Sequence, residues 1–329
     1  MPKVSICVPT YNRAEILPYA VNSVLNQTYG DFELLICDDA SPDYTADVIA
    51  QWDDPRIRYI RHPQNIKRSR NMRSGFDAAQ GEYFIKFDDD DALTPEFLEK
   101  AVAVLDANPN VDFVCTDHWV INAKNERDEA ATQANSAKWG KDRLGHGVID
   151  DLVRETFEHQ SLQVGSTLFR KACLDEVDFM QFEADGCEDF DLLVRLALAG
   201  NTGYFIPEKL MEYRFHGGQT SLKQDIHFLS AKLFCLNSYR FDRPELERSR
   251  QGKANGLKQV LALRLIEKGE TAKGRQLLQE LQQAGKLSSK AKVGTILSYL
   301  PVWMRQIVFQ GFRKARPQDY SERVRNAAG

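Results

Sequence analysis

The stretch GEYFIKFDDDDALTP, residues 81–95, sets four consecutive aspartates directly behind an apolar run. Like charges crowded at the end of a buried strand repel one another and raise the cost of ionising each, so the run needs a counter-charge. EYFIKF (82–87) has the composition of a strand, and Thr94-Pro95-Glu96 has the order N-cap, first-turn proline, first-turn acid that opens a helix over PEFLEKAVAVLDA. If the strand continues through the acids, alternation puts Asp88 and Asp90 on one side and Asp89 and Asp91 on the other. Two carboxylates on one side suit a hard divalent cation, Mg2+ or Mn2+, which takes one or two protein carboxylates and completes its shell with water and phosphate oxygens. An EF-hand is excluded: counted from Asp88, position six is Leu93 where glycine is required, and a strand precedes the loop where a helix should. A solvated acidic turn is the alternative for the run taken alone.

Working outward, KVSICV (3–8) precedes RAEILPYAVNSVLNQ, in which Ile16, Leu17, Ala20, Val21, Val24 and Leu25 recur at helical spacing. FELLIC (32–37), a helix around YTADVIAQW, the strand IRYIRH (57–62) and the helix RSRNMRSGFDAAQG, ending at Gly81, follow. Strands alternating with helices predict an α/β fold, a mixed but mostly parallel sheet flanked by helices, with ligands beyond the carboxyl ends of the strands. Three of those ends are polar: PTYNR, DDAS and DDDD. Asp38, Asp39 and Ser41 have a second reading, as caps of the helix that follows them.

From about Val111 the pattern changes. VDFVCTD and VGSTLFRK (164–171) read as strands, and EDFDLLVRLALAG (188–200) as a helix ending at Gly200. Between them NAKNERDEAATQANSAKWGKD, with Trp139 its only large apolar residue, reads as a mobile loop or an excursion over the site. Beyond about Leu222 the pattern is helical, with 251–268 and 270–285 as an antiparallel pair joined at Gly269.

Composition removes several classes. The formal net charge of −4 gives no support for nucleic-acid binding. Cys7, Cys37, Cys115, Cys173, Cys187 and Cys235 form no CxxC pair, so neither a zinc site nor a disulfide framework is indicated. MPKVSICVPTYNR is a strand pattern and lacks the basic and long apolar regions of a signal peptide. With no apolar run of ~18 residues either, the expectation is a cytoplasmic protein. No GxGxxG follows the first strand and no GxxxxGK[ST] occurs, which excludes a dinucleotide-dependent dehydrogenase and a P-loop NTPase.

VSICVPTYNR, FELLICDDAS, GEYFIKFDDDDALTP, CEDFDLLVRLALAG and YRFHGGQTS occur in this order over roughly residues 3–221 and together resemble family 2 glycosyltransferases, inverting enzymes of the Rossmann-like GT-A fold. The resemblance implies a catalytic domain over 1–223, with a nucleotide-binding half of about 1–92 and an acceptor half of about 93–223, and a helical C-terminal region over 224–329. It places Pro9, Tyr11 and Arg13 near the base and diphosphate of a nucleotide sugar, Asp39 on the nucleobase, and Arg70 in the nucleotide pocket. Asp88 and Asp90 match the DxD pair, with Asp90 the principal ligand of Mn2+ or Mg2+; Asp89 is placed towards the ribose, and Asp91 has no assigned role. Asp189 matches the general base, although by composition Glu188, Asp189 and Asp191 also read as ordinary first-turn acids. His216 matches a position near the diphosphate, as a metal ligand or a phosphate donor, and Gly217 and Gly218 allow close backbone approach. The implied reaction is hexosyl transfer from a nucleotide-diphosphate sugar, a UDP-sugar first, to a hydroxyl of a glycan or lipid-linked acceptor, as in bacterial-type polysaccharide or envelope glycan synthesis. A sugar-phosphate nucleotidyltransferase would carry a glycine-rich basic loop near the N-terminus, which is absent, and a non-catalytic nucleotide-sugar-binding module would not keep both the DxD pair and Asp189.

The tail has a character of its own. From Lys286 to Arg316 there are seven basic residues and no acidic one, interspersed with Ile296, Leu297, Leu300, Val302, Trp303, Ile307, Val308, Phe309 and Phe312. Two readings stand: helices lying on an anionic membrane surface, which would make the protein peripheral on the inner face of the cell membrane, or helices packing their apolar face on the catalytic domain.

Overall fold

The computed structural model describes residues 1–215 and 226–314. Nine strands form one mixed sheet: β1 (Val4–Thr10), β2 (Phe32–Asp38), β3 (Ile57–Arg61), β4 (Tyr83–Lys86), β5 (Ala92–Leu93), β6 (Phe113–Ile121), β7 (Gly147–Val148), β8 (Thr167–Arg170) and β9 (Gly203–Arg214). Their order is β3-β2-β1-β4-β8-β6-β9-β5, with β7 paired to β9. Neighbours within β3-β2-β1-β4 are all parallel, as are β6 and β9, while β8 runs antiparallel to both β4 and β6.

Buried strands with period-2 side chains feed two cores. Ile6, Val8, Leu34 and Ile36 pack on one face with the helices Leu17–Leu25 and Phe97–Ala107. Cys7, Leu35 and Cys37 pack on the other with Met72 and Phe76 of the helix Arg68–Ala78 and Leu192, Leu193 and Leu196 of the helix Glu188–Leu198. Gly75 is what lets the first of these helices lie so close: a Cβ there would stand 2.2 Å from the Cys7 Sγ and 2.9 Å from the Cys37 Sγ.

The chain divides into two compact units. The described part of the first, residues 1–182 and 188–215, holds the sheet, and that of the second, 183–187 and 226–314, is helical. In the second unit Pro244–Lys268 and Thr271–Gln283 are joined at Gly269, whose φ of +97° is the left-handed helix end that glycine tolerates.

Three local expectations are corrected. The strand does not run through the acids: β4 stops at Lys86, and the Asp91 amide reaches the Asp88 carbonyl at 3.4 Å in a turn. Thr94 does not cap the next helix, because β5 pairs with β9 and carries the Thr94 amide to the Leu210 carbonyl at 2.9 Å; Glu96 takes the N-cap position. The polar stretch after β6 contains the helix Glu129–Trp139, capped by the Asp128 carboxylate on the Ala131 amide at 2.8 Å and ended by Gly140 at φ +69°. Its buried face is made of small and polar residues, Ala131, Thr132, Asn135 and Ser136, which give no apolar periodicity.

Candidate active site

The carboxyl ends of β1, β2 and β4 lie side by side, so their trailing residues share a rim. At the end of β2, Asp39 is buried, and its two oxygens accept the Ile66 and Lys67 amides at 2.6 and 3.0 Å. Those bonds hold Lys67 at φ +78°, a region that costs a non-glycine residue about 1–3 kcal/mol. Asp38 and Ser41 do not cap the short helix Thr45–Ile49: Asp38 accepts the Ser41 amide and the Tyr59 hydroxyl, and the Ser41 hydroxyl accepts the Asn12 amide. Pro9 lies in β1, Tyr11 is exposed, and the Arg13 carbonyl accepts the Ile16 and Leu17 amides at the entry to the helix Leu17–Leu25.

The acid turn finds part of its counter-charge inside the protein. Lys86, 1% exposed on the last position of β4, donates to both Asp88 oxygens at 2.8 and 3.0 Å. The Arg68 guanidinium stands 4.0 Å from the same carboxylate. Burial alone would raise the Asp88 pKa, but Lys86 and Arg68 hold it below the ordinary carboxylate value. Asp89 accepts the Thr10 hydroxyl at 2.7 Å, yet burial and the neighbouring Asp90 push it up to about 7. Asp91 is buried, with one oxygen accepting the Arg214 amide at 2.9 Å and the other without a hydrogen bond; burial, then Asp90 and Asp88, push it well above the ordinary range. The Arg214 guanidinium donates to the Asp90 carbonyl at 2.6 Å.

Lys86 and Arg68 therefore do not balance the turn, and hard oxygen donors that repel one another are the setting a divalent cation relieves. Among the described residues no group of three or more His, Cys, Asp or Glu is placed to hold a metal ion by itself. Asp88 and Asp91 supply the hard oxygen donors that Mg2+ or Mn2+ takes when one or two protein carboxylates share the ion with phosphate oxygens. His216, with Gly217 and Gly218, lies outside the described residues.

The same ammonium joins the two motifs. Asp189, in the first turn of the helix Glu188–Leu198, places its Oδ1 3.5 Å from the Lys86 Nζ. That oxygen is buried and makes no hydrogen bond, whereas the side chain as a whole is 40% exposed, so the accessible part includes the other oxygen. Next to it Glu188 is buried and accepts the Ser69 hydroxyl at 2.9 Å; burial raises its pKa against the pull of Arg68. Asp191 is fully buried and paired with Arg195 at 2.6 Å. Of the three first-turn acids, two are thus tied into the fold and Asp189 faces outward.

Two cations in this cluster, Lys86 and Arg68, were not singled out from the sequence. Arg70, which was, lies over the Phe182 ring with its guanidinium carbon 5.5 Å from the centroid. Two positions along a helix differ by about 200°, so Arg68 and Arg70 leave opposite sides of their helix. The signal for Lys86 was a lysine inside a buried apolar strand, two residues before Asp88. A second buried polar group lies on β6, where Asp117 accepts the Ser136 hydroxyl at 2.8 Å and the Lys141 ammonium donates to the His118 Nδ1 at 2.7 Å. Burial, and then the charge of Lys141, drive the His118 pKa well below its ordinary value.

An α/β sheet with carboxylates at one strand end and an outward carboxylate at a helix start can serve group transfer from a nucleotide-linked substrate. Residues 5–166 match the family model described as glycosyl transferase family 2. Those residues, about half of the chain, are a glycosyltransferase family 2 domain. It is 26% identical over 224 residues, 67% of this chain and 68% of the relative, to an uncharacterized glycosyltransferase of Haemophilus influenzae. It is 43% identical over 97 residues, 28% of this chain and 31% of the relative, to the GalNAc(5)-diNAcBac-PP-undecaprenol beta-1,3-glucosyltransferase of Campylobacter jejuni. The fold is similar to that of S. aureus TarS 1–349 in complex with UDP-GlcNAc, with a TM-score of 0.61 and 16% identity over 96% of this chain and 93% of that one. The GT-A expectation for the fold is met.

Proposed function

We propose that the protein transfers a sugar from a nucleotide-diphosphate sugar, a UDP-sugar first, to a hydroxyl of a glycan or lipid-linked acceptor, with inversion. The observation that carries this reading is the single buried ammonium of Lys86 against both Asp88 and Asp189. It sets the carboxylate of the base motif beside the carboxylates of the donor motif. In one displacement the acceptor oxygen attacks the anomeric carbon, its proton passes to Asp189, and the bond from that carbon to the diphosphate oxygen breaks with its electron pair. The Lys86 ammonium faces one Asp189 oxygen at 3.5 Å, which leaves the other for the acceptor proton. Asp90, with Asp88 and with His216 as a further candidate, would hold Mn2+ or Mg2+, which when bound supplies positive charge to the leaving diphosphate. Arg13 and Arg68 would add charge-assisted bonds to phosphate oxygens, and Arg70, which lies over the Phe182 ring, would line the pocket. Pro9 and Tyr11 would flank the nucleotide, Asp89 the ribose. Asp39 keeps acceptor capacity beyond its two amide bonds, because each carboxylate oxygen has two lone pairs; that suits the imide N–H of uracil.

The UDP-GlcNAc complex of TarS supports a UDP-sugar, and the undecaprenol-linked substrate in the name of the C. jejuni relative supports a lipid-linked acceptor. The catalytic domain in this reading spans 1–223, with a nucleotide-binding half of about 1–92 and an acceptor half of about 93–223, and 224–329 form a helical C-terminal region. A screen of UDP-, GDP- and dTDP-sugars for nucleotide release with Mn2+ or Mg2+, run on the wild type and on Asp189→Asn, tests it. Turnover with a UDP-sugar that collapses in the variant while donor binding persists is the expected result; near wild-type transfer by Asp189→Asn would remove Asp189 as the base.

A further inference from the structure

The last two described helices, Ser289–Leu297 and Val302–Lys314, are apolar on two sides. Their inner side is fully used. Ala291 is buried with Ala262, Ile266 and Leu278, and Phe309 packs against the same cluster. Two arginines pin the corner between the helices. Arg305, read from the sequence as an interruption, is buried and donates to the Leu300 carbonyl at 2.6 Å, the Ile266 carbonyl at 2.9 Å and the Thr271 hydroxyl at 2.6 Å. Arg275 donates to the Ser298 hydroxyl and carbonyl at 2.7 and 2.8 Å. Within the helical unit the two helices pack on the helix pair Pro244–Lys268 and Thr271–Gln283.

The outer side repeats the apolar pattern, and among the described residues it is exposed. Val293, Ile296 and Tyr299 are 44%, 70% and 74% exposed, and Trp303 and Ile307 are 63% and 62% exposed. Spacings of three and four residues put Val293 and Ile296 on one side of the first helix and Trp303 and Ile307 on one side of the second, with Tyr299 in the turn between them. Exposed apolar side chains scattered singly are ordinary, but five large ones in so short a segment are the composition of a contact surface. Its surroundings are cationic: Lys286 and Lys292 are exposed, and the Arg275 guanidinium lies 3.9 Å from the centroid of the Tyr299 ring. No acidic residue occurs from Leu281 to Gln318's neighbour Pro317.

We infer that this outer side is a docking surface for an anionic lipid bilayer, with Ile296, Tyr299, Trp303 and Ile307 entering the headgroup boundary and the basic residues meeting lipid phosphates. Trp and Tyr favour that boundary because each has an apolar body and a polar tip. The two helices, of 9 and 13 residues, are too short to span a hydrocarbon core that takes roughly 20 residues, so the contact is in the plane of the surface. The inference deepens the lipid-linked acceptor reading but stands on geometry of its own, and its test involves no transfer.

Full-length protein is floated with phosphatidylcholine vesicles with and without phosphatidylglycerol, alongside the double variant Trp303→Ser/Ile307→Ser, whose positions are exposed and outside the buried cluster. The wild type should float with the anionic vesicles and release at high salt. The double variant, with an unchanged melting temperature, should lose binding by at least about tenfold. Equal flotation of the two proteins, or none by the wild type, would overturn the inference. So would a wild-type dimer in light scattering that the same variant dissociates, since the surface would then belong to a second copy of the chain.

Discussion

Replacing Lys86 with methionine removes one charge from the centre of the site and keeps most of the side-chain volume. At an effective dielectric of about 20, unit charges 2.8 Å apart attract by about 6 kcal/mol and those 3.5 Å apart by about 5 kcal/mol, which bounds the gross loss against Asp88 and Asp189. Two effects shrink it. Asp88 and Asp189 are 29% and 40% exposed, so water reaches both and screens them. The lysine is 1% exposed, and removing it also relieves the several kcal/mol that burying an ammonium costs. A net destabilisation of about 1–2 kcal/mol remains, which lowers the melting temperature by roughly 2–8 °C for a unit of this size. Turnover should suffer more than stability. Asp88 loses two hydrogen bonds and Asp189 loses the group facing its buried oxygen, and a displacement of about 1 Å in a reacting group costs about a hundredfold in rate. Melting followed by fluorescence, with kcat and donor KM from nucleotide release, separates the two effects. A folded Lys86→Met protein with kcat within about threefold of the wild type would refute the view that this ammonium positions the base.

Other perturbations test separate parts of the argument. Gly75→Ala forces a Cβ to within 2.2 Å of the Cys7 Sγ. Overpacking of about 1–3 kcal/mol should exceed the gain of about 1 kcal/mol in helix propensity, so the variant should melt lower, and adding Cys7→Ala should restore part of the loss; additive effects in the double variant would contradict the contact. His118 is held neutral in the folded protein, so the unfolded chain binds the extra proton below about pH 6.5. Stability from this group is present above that pH and declines by about 1.4 kcal/mol per unit as pH falls. The melting temperature of the wild type should therefore drop faster than that of His118→Gln between about pH 7 and 5.5, and parallel curves would remove His118 as the source. Chelation should abolish transfer and Mn2+ or Mg2+ restore it, while Asp90→Asn should weaken Mn2+ binding read directly by electron paramagnetic resonance; undiminished binding would move the ligand role to another carboxylate.

The parallel half of the sheet was legible because a strand covered on both faces reads as a continuous apolar run, and the polar residue after each run marks the rim. The antiparallel insertion of β8 between β4 and β6 was not, since nothing local in Thr167–Arg170 says which distant strand it will join. The helix Glu129–Trp139 escaped for a different reason: its buried side is small and polar, and the signals for it were the ends, Asp128 and Gly140, rather than a stripe. The site divides in the same way. Lys86 precedes Asp88 by two residues at the end of a buried strand, so their meeting was available to anyone asking what a lysine does there. Whether Arg68 or Arg70 turns to the acids depends on where their helix begins, and an error of one residue there rotates the answer by about 100°. The approach of Asp189 to Lys86 could not be read at all, because it is made by the packing of the helix Glu188–Leu198 onto the Cys7, Leu35 and Cys37 face of the sheet. The acid run announced that a counter-charge was needed; that the nearest counter-charge is a lysine shared with the base is a property of that packing. It follows that substitutions in this core, such as Leu192→Ala, should disturb turnover through Asp189 as well as stability, whereas substitutions of equal cost in the opposite core should affect stability first.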